Sequence, residues 1–180
     1  MLYHVWLMKL RTRLAFLLLV FLSTMTFARD DDQGKPAPRF RAKTCAGEAF
    51  NNDSVRGKVV LIEFWTPWCQ YCRQEEGLVE EINHELADKG LIVLAIDVAE
   101  SKKTVQKYLQ QHPRTCRVVL TEDTNLAAMC QANSYPIYVV IDRDGNISAE
   151  QHGAAGARGL RHLLATAGLK WERPADEDEQ

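Results

Sequence analysis

Two cysteines three positions apart, Cys69 and Cys72, are the residues of this 180-residue chain best suited to chemistry. A C-x-x-C pair can cycle between dithiol and disulfide, supply half of a zinc site, or form a structural bridge. The surroundings separate these. The segment from Trp65 to Cys72 reads WTPWCQYC, and the run before it, KVVLIEFW from Lys58 to Trp65, is nearly all apolar and rich in β-branched and aromatic residues. Such a run predicts a central strand buried on both faces. After the cysteines, Leu78, Val79, Ile82 and Leu86 recur on one helical face, and Gly90 supplies a stop. The pair therefore falls at a strand-to-helix turn, on the first turn of the helix. Unpaired backbone N–H groups and the helix dipole favour negative charge there. A thiolate is the nucleophile of disulfide exchange, so this location suits a reactive sulfur. Cys69, at the helix start, is expected to be the exposed attacker. Cys72, one turn in, is expected to be the shielded thiol that releases the mixed disulfide. A zinc site needs two more ligands in similar array, and Cys116, Cys130, His84, His112, His152 and His162 show no paired spacing. A structural bridge has no need of the strand–turn–helix setting.

The elements that must hold this turn follow from the periods along the chain. Leu91–Asp97 (LIVLAID) reads as a second buried strand. Ser101 can cap a helix carrying Val105, Tyr108 and Leu109. Arg117–Leu120 reads as a short strand and Leu126–Ala132 as a short helix. Ile137–Ile141 is a strand, Asp144-Gly145 turns the chain into another around Ile147, and Leu160, Leu163 and Leu164 mark a last helix. Strand–helix–strand–helix–strand followed by a hairpin and a helix is an α/β layered domain, and the hairpin makes its sheet mixed.

The first 28 residues read as a targeting segment rather than as fold. Lys9, Arg11 and Arg13 precede an apolar run from Leu14 to Leu22, and Thr26 and Ala28 give small residues at the spacing of a cleavage site. The run is shorter than the roughly 20 residues of a membrane span, so a signal peptide cleaved after Ala28 is expected, with an uncleaved anchor as the alternative. Residues 29–38, with three aspartates and two prolines, read as a linker, 39–170 as the domain, and 171–180 as an acidic, disordered tail. Export implies a compartment that permits disulfides: periplasmic or otherwise outside the cytoplasm, with a tether to the inner membrane if the anchor is kept. All five cysteines lie in the exported part, so at least one is unpaired or pairs with another molecule. A Cys116–Cys130 disulfide, leaving Cys45 odd, and three free thiols are both open. The formal net charge of −2 offers no basic field for nucleic acid.

WTPWCQYC closely resembles the W-x-x-W-C-x-x-C centre of thioredoxins, and the wider chain, from Gly34 to Leu169, resembles the TlpA/ResA branch of exported thiol–disulfide oxidoreductases. Gly34, Pro38 and Phe40 match the opening motif of that branch, Ser54, Gly57 and Lys58 its S-x-x-G-K, and Cys72, Arg73 and Glu75 its C-R-x-E. Pro136, then YVVID and Asp144-Gly145, match its late P-x-hydrophobic-D-x-x-G segment. The resemblance implies a thioredoxin-like mixed central sheet flanked by helices, behind an N-terminal extension. It implies a cis Tyr135-Pro136 bond beside the cysteines, where the bland alternative is a trans proline opening a strand. It makes Trp68, Gln70, Tyr71 and Tyr135 the residues that meet a bound substrate. It also assigns Glu63, six residues before Cys69, to a buried acid that relays protons to the inner cysteine. The apolar neighbours of Glu63 argue against an exposed face, because an unpaired buried carboxylate is costly without a use. Gly77 stands where relatives carry a helix-kinking proline, so a straighter helix is expected.

The implied activity is electron exchange with cysteine pairs of exported proteins, with a membrane-bound electron donor as second partner. No cofactor or metal is expected beyond the redox-active Cys69–Cys72 disulfide. Gln70-Tyr71 puts no cation between the cysteines, which favours a reductant over a strong oxidant. Two rivals remain. A thiol peroxidase would use Thr66 and Pro67 around Cys69, and a copper-binding module would need a His or Met ligand that the local motif lacks.

Overall fold

The computed structural model describes residues 34–173; the expected signal segment, residues 29–33 of the expected linker and the tail from Pro174 lie outside them. Seven strands form one sheet: β1 (Arg41–Thr44), β2 (Ala49–Asn51), β3 (Val59–Trp65), β4 (Leu91–Asp97), β5 (Arg117–Thr124), β6 (Ile137–Ile141) and β7 (Ile147–His152). The helices are α1 (Gln70–Leu86), α2 (Lys102–Gln111), α3 (Leu126–Met129) and α4 (Gly156–Thr166). Across the sheet the order is β2-β1-β5-β4-β3-β6-β7. The β3, β4 and β5 neighbours are parallel, and the β1, β2, β6 and β7 pairings are antiparallel. The mixed thioredoxin-like sheet expected from the sequence is the one observed.

β3 is central because it can be. All seven of its residues are buried. Val59, Leu61 and Trp65 enter a core shared with α1, α2 and α4, while Val60, Ile62 and Phe64 enter a second core with Phe40, Val55 and Leu126 on the other side of the sheet. Burial of each such side chain contributes about 1.5–3 kcal/mol, so β3 is both the floor of the site and a main anchor of the domain. α1 runs unbroken through Gly77. Ser101 caps α2 by accepting from the Thr104 N–H at 3.2 Å, as its position ahead of the helix predicts.

The structure also explains the spaced motifs. A Cβ at Gly34 would lie 2.2 Å from the Ile147 carbonyl oxygen, so only glycine lets the leading segment approach β7. Asn51 and Ser54 exchange hydrogen bonds that close the turn before β3, and Gly57 there has φ +77°.

Several boundaries differ from expectation. Residues 34–38, assigned to the linker, are tied down: Ala37 N–H donates to Gly145 and Ile147 N–H to Lys35, at 2.9 and 2.8 Å. Trp171, assigned to the tail, is buried in the core. The β1–β2 hairpin and the second half of β5 were not legible as strands, since these short segments carry few large apolar residues.

Candidate active site

β3 ends at Trp65, and Thr66-Pro67-Trp68 carries the chain over to α1. The Thr66 carbonyl accepts the Cys69 N–H at 3.1 Å, and Cys69 takes the N-cap position with extended backbone (φ −70°, ψ 109°). Its Sγ accepts the Cys72 N–H at 3.1 Å. A sulfur thus occupies the place where Ser or Asp usually satisfies an orphan helix donor. A thiolate at Cys69 would gain a charge-assisted hydrogen bond and the helix dipole, both absent from its protonated form. Cys69 and Cys72 are joined by a disulfide, so the structure is the oxidised state. In that state Cys69 is more enclosed than expected, 5 % exposed against 2 % for Cys72.

Around the disulfide stand exposed aromatics. Trp68 and Tyr71 are 62 % and 59 % exposed, Gln70 is exposed, and Trp68 meets Tyr135 edge-on at 5.8 Å. The Trp68 indole donates to Glu100 at 3.0 Å. The Tyr135-Pro136 bond is cis, and Pro136 is buried at the start of β6, where its carbonyl accepts from Gly153. Of the residues singled out from the sequence, Trp68 and Tyr135 are brought into contact, Gln70 and Tyr71 open α1, and Pro136 directly precedes β6.

Glu63 lies mid-β3, wholly buried, between Ala95 of β4 and Tyr138 of β6. Its Oε2 accepts from the Arg114 guanidinium at 2.7 Å, while Oε1 has no hydrogen-bond partner. Burial pushes its pKa up, and the Arg114 charge and hydrogen bond oppose the rise. The sequence singled out Glu63 but gave no sign of Arg114, which sits 51 residues away in the loop before β5. It was also silent on Asp97, a wholly buried acid at the end of β4, paired in register with Trp65. Burial raises Asp97 to about 7. Glu75, known from its motif alone, is buried and accepts from the Tyr138 hydroxyl at 2.9 Å and from the Gly156 N–H, tying α1 to β6 and α4.

The remaining thiols are free. Cys116 lies in the core on the α1 side of the sheet and Cys130 packs against the other core. With the sheet between them, the Cys116–Cys130 bridge weighed from sequence does not form. Burial pushes the Cys116 thiol up, and that of Cys130 to about 11, so neither is an activated nucleophile. Among the described residues no cluster of three or more His, Cys, Asp or Glu could hold a metal ion.

The AhpC/TSA family matches residues 33–150 of the sequence. The chain belongs to that family. It is 33% identical over 118 residues to the thioredoxin-like protein YneN of Bacillus subtilis, covering 64% of this chain and 68% of the relative. It is 26% identical over 131 residues to the thiol-disulfide oxidoreductase ResA of Bacillus thuringiensis subsp. konkukian, covering 73% and 76%. The crystal structure of a Chlorobium tepidum protein described as thiol:disulfide interchange protein DsbE superimposes with a TM-score of 0.67 at 25% identity, over 76% of this chain and 97% of that one. Fold, relatives and the Cys69–Cys72 disulfide together make this AhpC/TSA-family chain a thioredoxin-like thiol–disulfide oxidoreductase.

Proposed function

We propose that this oxidoreductase reduces disulfides of exported protein partners and is itself re-reduced by a membrane-bound dithiol donor. The observation that carries the reading is the Cys69 sulfur at the N-cap of α1, on the Cys72 N–H. In the reduced protein the Cys69 thiolate attacks one sulfur of the partner disulfide, and the other partner sulfur leaves and takes up a proton. Cys72 then gives its proton to Glu63 and attacks Cys69. The Cys69–partner bond breaks, the second partner thiol departs, and the intramolecular disulfide forms. Two electrons have passed to the partner, and the donor restores them. Pro136, Tyr135, Trp68, Gln70 and Tyr71 provide the surface against which the partner peptide lies.

The direction of flow is supported by what stabilises the thiolate. The Cys72 N–H and the helix terminus do so, whereas Gln70 and Tyr71 carry no charge. Strong oxidants owe their potential to an unusually stable reduced form. Export is supported by residues 1–28, with their basic start and apolar run. Among the described residues no helix is long and apolar enough to cross a membrane. No organic cofactor takes part in the cycle.

The test is to express Cys72→Ala in the native host, trap mixed disulfides on Cys69, and identify the partners. Exported proteins with cysteine pairs are expected. Equilibration of the unmodified protein with glutathione should give a potential nearer thioredoxin, about −270 mV, than DsbA, about −120 mV. Turnover of hydrogen peroxide through a sulfenic acid on Cys69, with no protein partner trapped, would replace this reading by the peroxidase one.

A further inference from the structure

Arg114 is a buried cation that the exchange cycle above leaves without a role. Its side chain is 1 % exposed. A guanidinium so placed is costly unless it is paired on several sides. Here Nη2 donates to Glu63 Oε2 at 2.7 Å and Nε to Glu80 at 3.3 Å, with Glu76 at 4.0 Å. The Trp65 ring lies 5.3 Å from the guanidinium carbon, within cation–π range. The three carboxylates are not equivalent. Glu80 also accepts from the Thr115 N–H at 2.6 Å, and Glu76 accepts from the Tyr108 hydroxyl at 2.8 Å; both are partly exposed. Glu63 is wholly buried, and Arg114 is its hydrogen-bond partner.

From this geometry we infer that Arg114 is the positioning residue of the proton relay: it pins Glu63 by Oε2, leaves Oε1 as the atom that accepts the Cys72 proton, and favours the ionised carboxylate that this transfer needs. The inference rests on the proposed relay role of Glu63. The guanidinium occupies one carboxylate oxygen and the other has no partner in the oxidised state. A carboxylate fixed in this way has one basic lone pair free, and a general base must have such a site in reach of its proton. Trp65 and Glu80 also contact the guanidinium, so its placement does not depend on Glu63 alone. The other titratable groups around the pair are Glu75 of α1, Cys116 ahead of β5 and Tyr138 of β6. Glu75 adds negative charge, which works against ionised Glu63, and burial holds Tyr138 protonated by pushing its pKa up. Burial likewise keeps Cys116 a thiol. The positive charge that opposes burial at Glu63 is therefore that of Arg114.

During resolution the Cys72 S–H bond breaks and its proton goes to Glu63 Oε1. The sulfur electron pair forms the Cys69–Cys72 bond, and the partner sulfur leaves with the electrons of the bond to Cys69. The partner disulfide is the only oxidant required.

The test is the pH profile of resolution, measured in single turnover on a preformed mixed disulfide, for five proteins: unmodified, Glu63→Gln, Arg114→Met, Arg114→Lys, and Glu63→Gln with Arg114→Met. Arg114→Met is expected to slow resolution at pH 7 about tenfold, the factor equivalent to one pKa unit, and to move the rising limb to higher pH. Arg114→Lys keeps the charge but loses the planar fork, and about a threefold slowing is expected. Added to Glu63→Gln, Arg114→Met should change nothing further. If Arg114→Met fails to fold, Arg114→Lys with and without Glu63→Gln carries the same comparison. Profiles that superimpose on the unmodified protein, or equal slowing in the Glu63→Gln background, would overturn the inference while leaving the relay intact. An unchanged Glu63→Gln profile would instead remove the relay, and the inference with it.

Discussion

Glu63 and Asp97 are two wholly buried acids on neighbouring parallel strands, and they have been given opposite company. Glu63 faces a guanidinium at 2.7 Å. Asp97 has the Glu100 backbone N–H on Oδ2 at 3.3 Å, no partner on Oδ1, and the Glu100 charge nearby. Burial drives both upward, but at Glu63 a full positive charge pulls back, whereas at Asp97 a long neutral donor does. On the proposed relay, an acid that accepts a proton at neutral pH is ionised beforehand, and of these two Glu63 has the cation that favours that state.

The largest expected effect breaks the pair apart by kinetics. Glu63→Gln should slow resolution of the mixed disulfide about 10²-fold, at the lower end of general-base contributions. Asp97→Asn should leave it within about threefold, since a group without a proton to move contributes nothing to this step. Stopped-flow reduction of a model disulfide by each variant makes the measurement, and equal slowing by both would erase the distinction.

Stability against pH sharpens the same contrast. Asp97 has a folded pKa of about 7 against an ordinary 3.8, so the folded protein holds a proton that the unfolded chain releases. The protonated form's advantage is complete below about pH 4 and is lost as pH rises to 7. Asparagine mimics the protonated acid. Asp97→Asn should therefore match the unmodified protein near pH 4 and exceed it by about 2–4 kcal/mol at pH 8, on the scale of one pKa unit per 1.36 kcal/mol. Urea denaturation at the two pH values checks this. A variant that loses stability at pH 8 would mean that Asp97 is held ionised after all.

A third buried acid gives the smallest effect. Glu75 is bound by the Tyr138 hydroxyl and the Gly156 N–H, without a cation. Tyr138→Phe removes one of these donors and should cost about 1–3 kcal/mol, with resolution unchanged. Denaturant midpoints and the same single-turnover assay decide, and a change in resolution rate would extend the relay to Glu75.

What the sequence determined by itself is what short-range patterns encode. An apolar run makes β3, a 3.6-residue period makes α1, and their junction puts Cys69 at a helix N-cap. The burial of Glu63 was also legible, because its neighbours along β3 alternate into two cores and leave it no solvent face. The partners of these residues were not legible. Arg114 reaches Glu63 across 51 residues, Tyr138 reaches Glu75 across 63 and Gly156 across 81. Each meeting depends on strand order and on which side of the sheet a loop returns, and neither leaves a periodic trace in the segments involved. The same ignorance of sides left Cys116 and Cys130 as a possible pair until the sheet was seen to divide them. Local sequence placed the reactive sulfurs because helix caps and strand runs are local. Only the tertiary structure decided which buried acid received a cation, because that depends on which distant segments the sheet brings together.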